Sequence, residues 1–402
     1  MKQLFGDGIH DDTEAIQERI DSGGCEVALP APDKFYLISK PLELPSNFRF
    51  VLPRFAEIRL ADGSNCVMLK NKTKEIADFR HEKSIWSCTK QYSADFICEN
   101  IEICGGIWNC NNIGQNGNPG ETGLFEPEGY SGFGMLFFGV RGFSMRSLTV
   151  KDPVTFGMTL DWVSWFTIED ITFDYNYGNP NPVNMDGIHI DGNCHWGVIR
   201  NLKGSCYDDV VALNADEGSG GDITNIEVSG IWAENAHSAV RMLAVHSKLE
   251  NIHVHDIYGT YYQYCIGITK YYEGACVGGY SGILIDHVYA SKAERLPAYC
   301  KEGMYVFPLI WIEGNLAIKD LSISHVHRKE SVTPVETIHF GENTCADSVS
   351  LSHIFTENAT SESMPLFVNY GKIRRLRTEV LNSGDDPVIV DKGIIEKQTG
   401  VL

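Results

Sequence analysis

A short pattern recurs eight times between residues 145 and 354 and limits the folds open to the chain: an apolar residue, two mostly polar residues, then another apolar residue. The copies are Met145-Arg-Ser-Leu148, Ile168-Glu-Asp-Ile171, Ile199-Arg-Asn-Leu202, Val228-Ser-Gly-Ile231, Val254-His-Asp-Ile257, Ile285-Asp-His-Val288, Ile323-Ser-His-Val326 and Leu351-Ser-His-Ile354. They begin 23, 31, 29, 26, 31, 38 and 28 positions apart, as expected if loops of different length separate constant strands. Several copies sit in runs that alternate apolar and polar, such as Ile226-Glu-Val228 and Ile252-His-Val254. Period two is the signature of strands with one buried face. Strands at a period of roughly 20–40 residues, with no helical segments between them, point to a β-solenoid. Asn-Gly hairpin turns are nearly absent, which argues against an antiparallel sandwich.

The expected fold is therefore all-β: a parallel β-helix in which each coil covers the apolar row of the next. We read residues 1–402 as one such domain: a cap region over 1–24, coils over about 25–380, and a polar-ended tail over 381–402. Asp11 to Ile20 reads as a short amphipathic helix that closes the first coil. Asp11 is its expected N-cap, and Glu14, three residues on, would complete a capping box.

Composition narrows the function classes. The net charge of −20, from 53 acidic and 33 basic residues, argues against a nucleic-acid partner, which would need a basic face. It also weighs against a polyanionic substrate. No apolar run approaches the ~18 residues of a membrane span. Met1 to Phe5 leads straight into a turn and a helix without a signal peptide, so the expectation is a cytoplasmic protein, or a secreted one if a leader has been removed. The 12 cysteines lack CxxC spacing and read as reduced, packed thiols. Nothing in the sequence sets the oligomeric state.

Chemistry concentrates in Asn184-Met185-Asp186-Gly187-Ile188-His189 and, one coil later, Tyr207-Asp208-Asp209. Asp186 and Asp209 lie 23 positions apart, close to one coil, so stacking would make them neighbours on one face. Clustered carboxylates suit glycosidic bond hydrolysis, where one is held protonated as acid and another ionised as base. An Asp-Asp pair alone is weak, since Asp11-Asp12 and Asp385-Asp386 also occur. Adjacent strand residues face opposite ways, so both aspartates reach one cleft only where the strand bends.

These motifs resemble known ones. Gly6-Asp7-Gly8 through Gln17, and Gly105-Gly106-Ile107-Trp108-Asn109, look like the opening and an early coil of right-handed β-helix proteins of the pectin-degrading (pectin-lyase-like) superfamily. The two central motifs resemble the Asn-Thr-Asp-Gly and Gly-Asp-Asp signatures of glycoside hydrolase family 28, the polygalacturonase-like enzymes. Asn235 to Leu243 looks like the segment that holds that family's Arg-Ile-Lys. The resemblance spans roughly residues 100 to 290. It implies an inverting hydrolase with Asp208 as general acid, Asp186 and Asp209 activating water, Arg241 holding the sugar, and no cofactor. Three positions depart from the pattern. Met185 replaces Thr, the Gly-His-Gly coil is missing with His237 as a possible remnant, and Leu243 replaces the lysine that would bind a uronate carboxylate. The expected substrate is a plant or microbial oligo- or polysaccharide other than polygalacturonate.

Asn184 shares the face of Asp186 and is a candidate for binding sugar. Ideal alternation puts His189 on the opposite face, yet it remains a candidate substrate ligand with His237, Lys270 and Tyr271. Trp162, Trp165, Trp196, Tyr261, Tyr262 and Tyr272 add aromatic surface near the central coils. His253/His255 and His325/His327 share strand faces, but exposed stacking explains them better than metal binding, and no metal is expected. The segment from Gly114 to Gly134 reads as a surface loop. Two other functions remain open: a lyase or epimerase with Arg241 or Lys270 as base and the aspartates on calcium, and a glycan-binding β-helix without catalysis.

Overall fold

The computed structural model describes residues 1–72, 96–116, 132–175, 184–271, 278–294 and 306–401. The chain divides into two compact units, Met1–Asp208 with Glu217–Ser219, and Asp209–Asp216 with Gly220–Leu402. Both have the parallel β-helix architecture expected from the repeat, right-handed as the resemblance implies, and their ladders are parallel from coil to coil. The 117–131 part of the Gly114–Gly134 loop, and Tyr272, lie outside the described residues.

The recurrent pattern turns out to mark a corner. In all eight copies its third residue has positive φ, from 48° at His325 to 65° at Gly230. A single left-handed residue between two extended ones turns the chain sharply and leaves the ladder on either side intact. Gly, Asn and Asp adopt this conformation at least cost, which accounts for many of the residues found there. The flanking apolar residues point inward and stack in register. In the first unit Phe50, Ile103, Met145, Ile168 and Ile199 form one such column. In the second, Val228, Val254, Ile285, Ile323 and Leu351 form another. All ten are fully buried. At roughly 25 cal/mol per Å2 of buried apolar surface, these columns are the main stabilising term.

The N-terminal helix spans Thr13–Asp21 and buries Ala15, Ile16 and Ile20. It closes the first unit as expected, but through a different device from the capping box. Asp12 precedes the helix, and its carboxylate turns back to accept hydrogen bonds from the backbone of Phe5 (2.6 Å) and Gly6 (3.0 Å). Asp11 accepts from the Thr13 N–H, and Glu14 is drawn to Lys2. Gln17 caps the open edge of the strand Leu42–Leu44, donating to the Glu43 carbonyl (3.1 Å) and accepting from the Glu43 N–H (2.9 Å). The polar tail expected over 381–402 is also structured: Ile389–Asp391, Ile394–Ile395 and Gln398–Val401 add strands to the preceding coil.

The second unit buries an ion pair outright. Arg328 Nε and Nη2 donate to Glu330 Oε2 at 2.9 and 2.7 Å, and Nη1 donates to the Val335 carbonyl and the Thr337 hydroxyl. Glu330 Oε1 accepts from the N–H groups of Ser331, Val332 and Thr333. Removing one partner would leave the other charge buried and uncompensated. Glu330→Ala is therefore expected to lower unfolding free energy by about 3–5 kcal/mol in urea titration. A loss below about 1 kcal/mol would show that the guanidinium finds water instead.

Candidate functional site

In the first unit, Asp186 lies just before the strand Ile188–Ile190, after Asn184 has taken a left-handed conformation (φ 57°). That turn aims the Asp186 carboxylate along the strand. His189 Nδ1 lies 2.6 Å from Asp186 Oδ2. The expectation that alternation sends His189 to the opposite face therefore fails, because Asp186 and Gly187 precede the regular pleat. On its other side, His189 Nε2 lies 3.2 Å from Asp191 Oδ1 and 3.0 Å from Glu217 Oε2. It is shared between the two carboxylates without pointing squarely at either. Phe156 stacks flat on the imidazole with ring centroids 3.9 Å apart, and His189 is 1% exposed.

Glu217 reaches this cluster because residues 217–219 fold over it. The Gly192 N–H donates to the Glu217 carbonyl, and the Ser219 N–H donates to both oxygens of Asp161 (3.1 and 3.0 Å). Gly218, at φ 60°, sits so close that a Cβ would lie 2.5 Å from Asp191 Oδ2 and 2.6 Å from Asp161 Oδ2. Only glycine lets the loop close over the carboxylates. Burial disfavours a charged His189, yet its bonds to Asp186, Asp191 and Glu217 outweigh burial and hold its pKa well above the usual value. His189 is thus an imidazolium shared among three acids. Asp208 is half-buried in a bend.

In the second unit, Asp209 opens the strand Asp209–Asn214 and is 1% exposed. Its cross-strand partner is Ser238, whose hydroxyl donates to Asp209 Oδ1. Arg241, on the same strand as Ser238, brings Nη1 to 3.8 Å from Asp209 Oδ2. Its guanidinium lies 4.7 Å from the centroid of the Tyr271 ring, and Tyr271 is 65% exposed. Glu313 fixes that tyrosine by accepting the N–H bonds of Lys270 (2.7 Å) and Tyr271 (2.8 Å) through Oε2. Lys270 is buried.

His237 is buried, edge-on to Tyr262, and 3.4 Å from the Ser238 hydroxyl. Burial lowers its pKa to about 4; Asp209 opposes that effect, while Arg241 and Lys292 reinforce it. Met185 and Leu243 are fully buried core residues. The other paired histidines part company: His325 bonds Asp286 and stacks between His287 and His353, whereas His327 stacks between Tyr289 and Phe355.

The sequence reading missed Asp161, Glu217, Ser238 and Glu313. Asp-Glu-Gly-Ser after the Asp-Asp strand was a usable signal for Glu217, since Asp and Glu in a Gly-rich turn often fold back onto backbone or side-chain donors. Ser238 and Glu313 carry no local signal; each is defined by the residue opposite it one coil away.

No family model and no curated protein sequence matches the chain. Solved structures do. PfbA, a surface adhesin of Streptococcus pneumoniae, is 14% identical at TM-score 0.56, over 97% of this chain and 92% of that one. The family 28 exopolygalacturonase of Yersinia enterocolitica is 13% identical at TM-score 0.52, over 99% and 76%. A tailspike protein of E. coli bacteriophage HK620, solved with a pentasaccharide, is 12% identical at TM-score 0.59, over 94% and 64%. At these identities the likeness establishes the right-handed parallel β-helix fold.

The two histidines give opposite pH signatures. His189 has a raised pKa, so its stabilising contribution is fully present below about 6.5, its unfolded value, and is lost as pH climbs through the raised value. The melting temperature should fall on the alkaline side, and His189→Gln should remove that fall. His237 has a lowered pKa, so stability should decline as pH drops from about 6.5 toward 4, and His237→Phe should flatten that decline. Parallel melting curves for wild type and variants across pH 4–10 would refute both assignments.

Proposed function

We propose that the protein is a carbohydrate-active enzyme of the family 28 type, an inverting glycoside hydrolase. The observation that carries this reading is the series from a buried carboxylate to an exposed tyrosine in the second unit. Asp209 is buried and oriented by Ser238, Arg241 stands beside it, and Tyr271 carries the guanidinium on one side while remaining exposed. A sugar seated on Tyr271 would meet Arg241 first and the carboxylate behind it. Asp208, half-buried in its bend, acts as general acid and protonates the departing glycosidic oxygen. On the family resemblance, Asp186 and Asp209 are assigned the activation of the attacking water, which adds to the anomeric carbon from the opposite side. Asn184, His189, His237, Arg241, Lys270 and Tyr271 are the proposed substrate-binding and positioning set.

The substrate class follows from the departures. Leu243 is fully buried core, and the net charge is strongly negative, so a neutral glycan fits better than polygalacturonate. The similarity to a family 28 exopolygalacturonase supports hydrolysis on this fold.

A specific observation favours a second reading, glycan binding without turnover. The Asp186 carboxylate is held by a buried histidine beneath Phe156, which is what a purely structural acid would also look like. The adhesin and the pentasaccharide-bound tailspike share the fold and fit that alternative.

Reducing-end release from a panel of plant and microbial oligosaccharides separates the two. Asp208→Asn should lower kcat by about 100- to 10,000-fold, with folding and binding preserved. Loss within tenfold would remove Asp208 as the acid, and binding with no turnover by wild type would select the second reading. Activity abolished by a chelator would instead point to calcium-dependent elimination.

A further inference from the structure

On the outer surface of the first unit, one corner column reads Asn47, Asn100, Gly142, Trp165, Trp196, each one coil above the last. All five have positive φ, between 53° at Asn100 and 79° at Gly142. The column changes chemistry at Gly142. Below it, the Asn100 amide donates to Asn47 Oδ1 at 2.8 Å. Above it, the indoles of Trp165 and Trp196 stack at 5.2 Å with planes 7° apart, and both are at least half exposed.

Gly142 therefore opens a gap in an otherwise continuous stack. A Cβ there would lie 2.7 Å from Asn100 Oδ1, so the position holds no side chain. Asn100 and Trp165 stand two rungs apart, about 9.6 Å at the usual inter-strand spacing. Trp196 covers one face of Trp165, which also lines a shallow, open cleft of about 480 Å3 with Asn47, Arg49, Asn100, Glu102, Gly142 and Ser144. Arg49 is held at the rim by Glu26 (2.9 Å) and Glu102 (3.4 Å).

We infer that this cleft is a second carbohydrate-binding site, remote in sequence from the proposed catalytic aspartates, that takes one neutral sugar ring against Trp165. The flat indole accepts the apolar C–H face of a pyranose at about 3.5–4.0 Å. The gap at Gly142 leaves room for the ring thickness, and its hydroxyls fall among the amides of Asn47 and Asn100, the Arg49 guanidinium and the Ser144 hydroxyl, which supply both donors and acceptors. A hydrocarbon ligand would strip water from the rim ion pairs without replacing those bonds. An anionic ligand would meet Glu26 and Glu102. The inference shares the carbohydrate reading given above but does not depend on hydrolysis. Its role is to hold polymer while the catalytic residues act on another part of the chain, raising effective concentration.

The test is retention on insoluble cellulose, β-1,3-glucan, mannan and chitin, measured beside turnover of short soluble oligosaccharides. Trp165→Ala is expected to reduce retention on at least one polymer tenfold or more, and Asn100→Ala by a smaller factor, with soluble turnover within twofold of wild type. Circular dichroism and melting temperature confirm that both variants fold. Unchanged retention in both variants, or wild type held by none of the polymers, overturns the inference whatever the turnover. If light scattering shows that Trp165→Ala changes only the oligomeric state, the indole pair is a contact between copies and the inference also fails. Absent turnover with Trp165-dependent retention would defeat the hydrolase reading and leave this one standing.

Discussion

Every coil of this protein has to change direction without releasing the hydrogen bonds that tie it to the coils above and below. One residue with positive φ at the corner marked by each copy of the repeat meets that demand there, and much else follows from it. The ladder stays parallel and in register, so residues at equivalent positions stack for the length of a unit. Inward positions become apolar columns, and outward corner positions become columns of whatever the surface carries. A strand extended by one residue would turn every side chain over, so the corner also protects which face is core.

The same stacking explains how so many ionisable groups are buried. A carboxylate in the interior is costly unless it is hydrogen-bonded and paired. Here the partners come from the adjacent coil or from a loop that closes over it: Ser238 on Asp209, the Ser219 N–H on Asp161, Glu217 beside His189. Charges of both signs are held in fixed geometry, His189 cationic among acids and His237 neutral near Arg241. Preorganised charge of this kind is what acid–base chemistry at a glycosidic bond requires, and forming it costs stability that the apolar columns supply.

How much of this was legible in the sequence divides along physical lines. The repeat and its alternation specified parallel coils because periodicity survives loops of any length between copies. The corner was visible as two polar residues between apolar ones, but its positive φ was not, since Ser147 and His353 stand where glycine or asparagine would have announced it. Asp186, Asp209 and Arg241 stood out as candidates because their neighbours in sequence resemble a motif. Glu217, Ser238 and Glu313 were not, because their importance lies in the residue opposite them across a rung. Asp11 was read as the cap from a pattern of side chains; the backbone placed Asp12 there and turned its carboxylate toward Phe5 and Gly6.

The corner columns also determine how such a molecule can change over time. A corner side chain points away from the core and rests on its two neighbours in the column, so replacing it alters surface chemistry with little disturbance inside. The column Asn47, Asn100, Gly142, Trp165, Trp196 passes from amide to void to indole within five rungs, above an apolar column that stays intact. Like type set in a composing stick, each character can be exchanged while the line keeps its spacing. New recognition surfaces can then be written one rung at a time, and sequences can drift far apart while the coil persists.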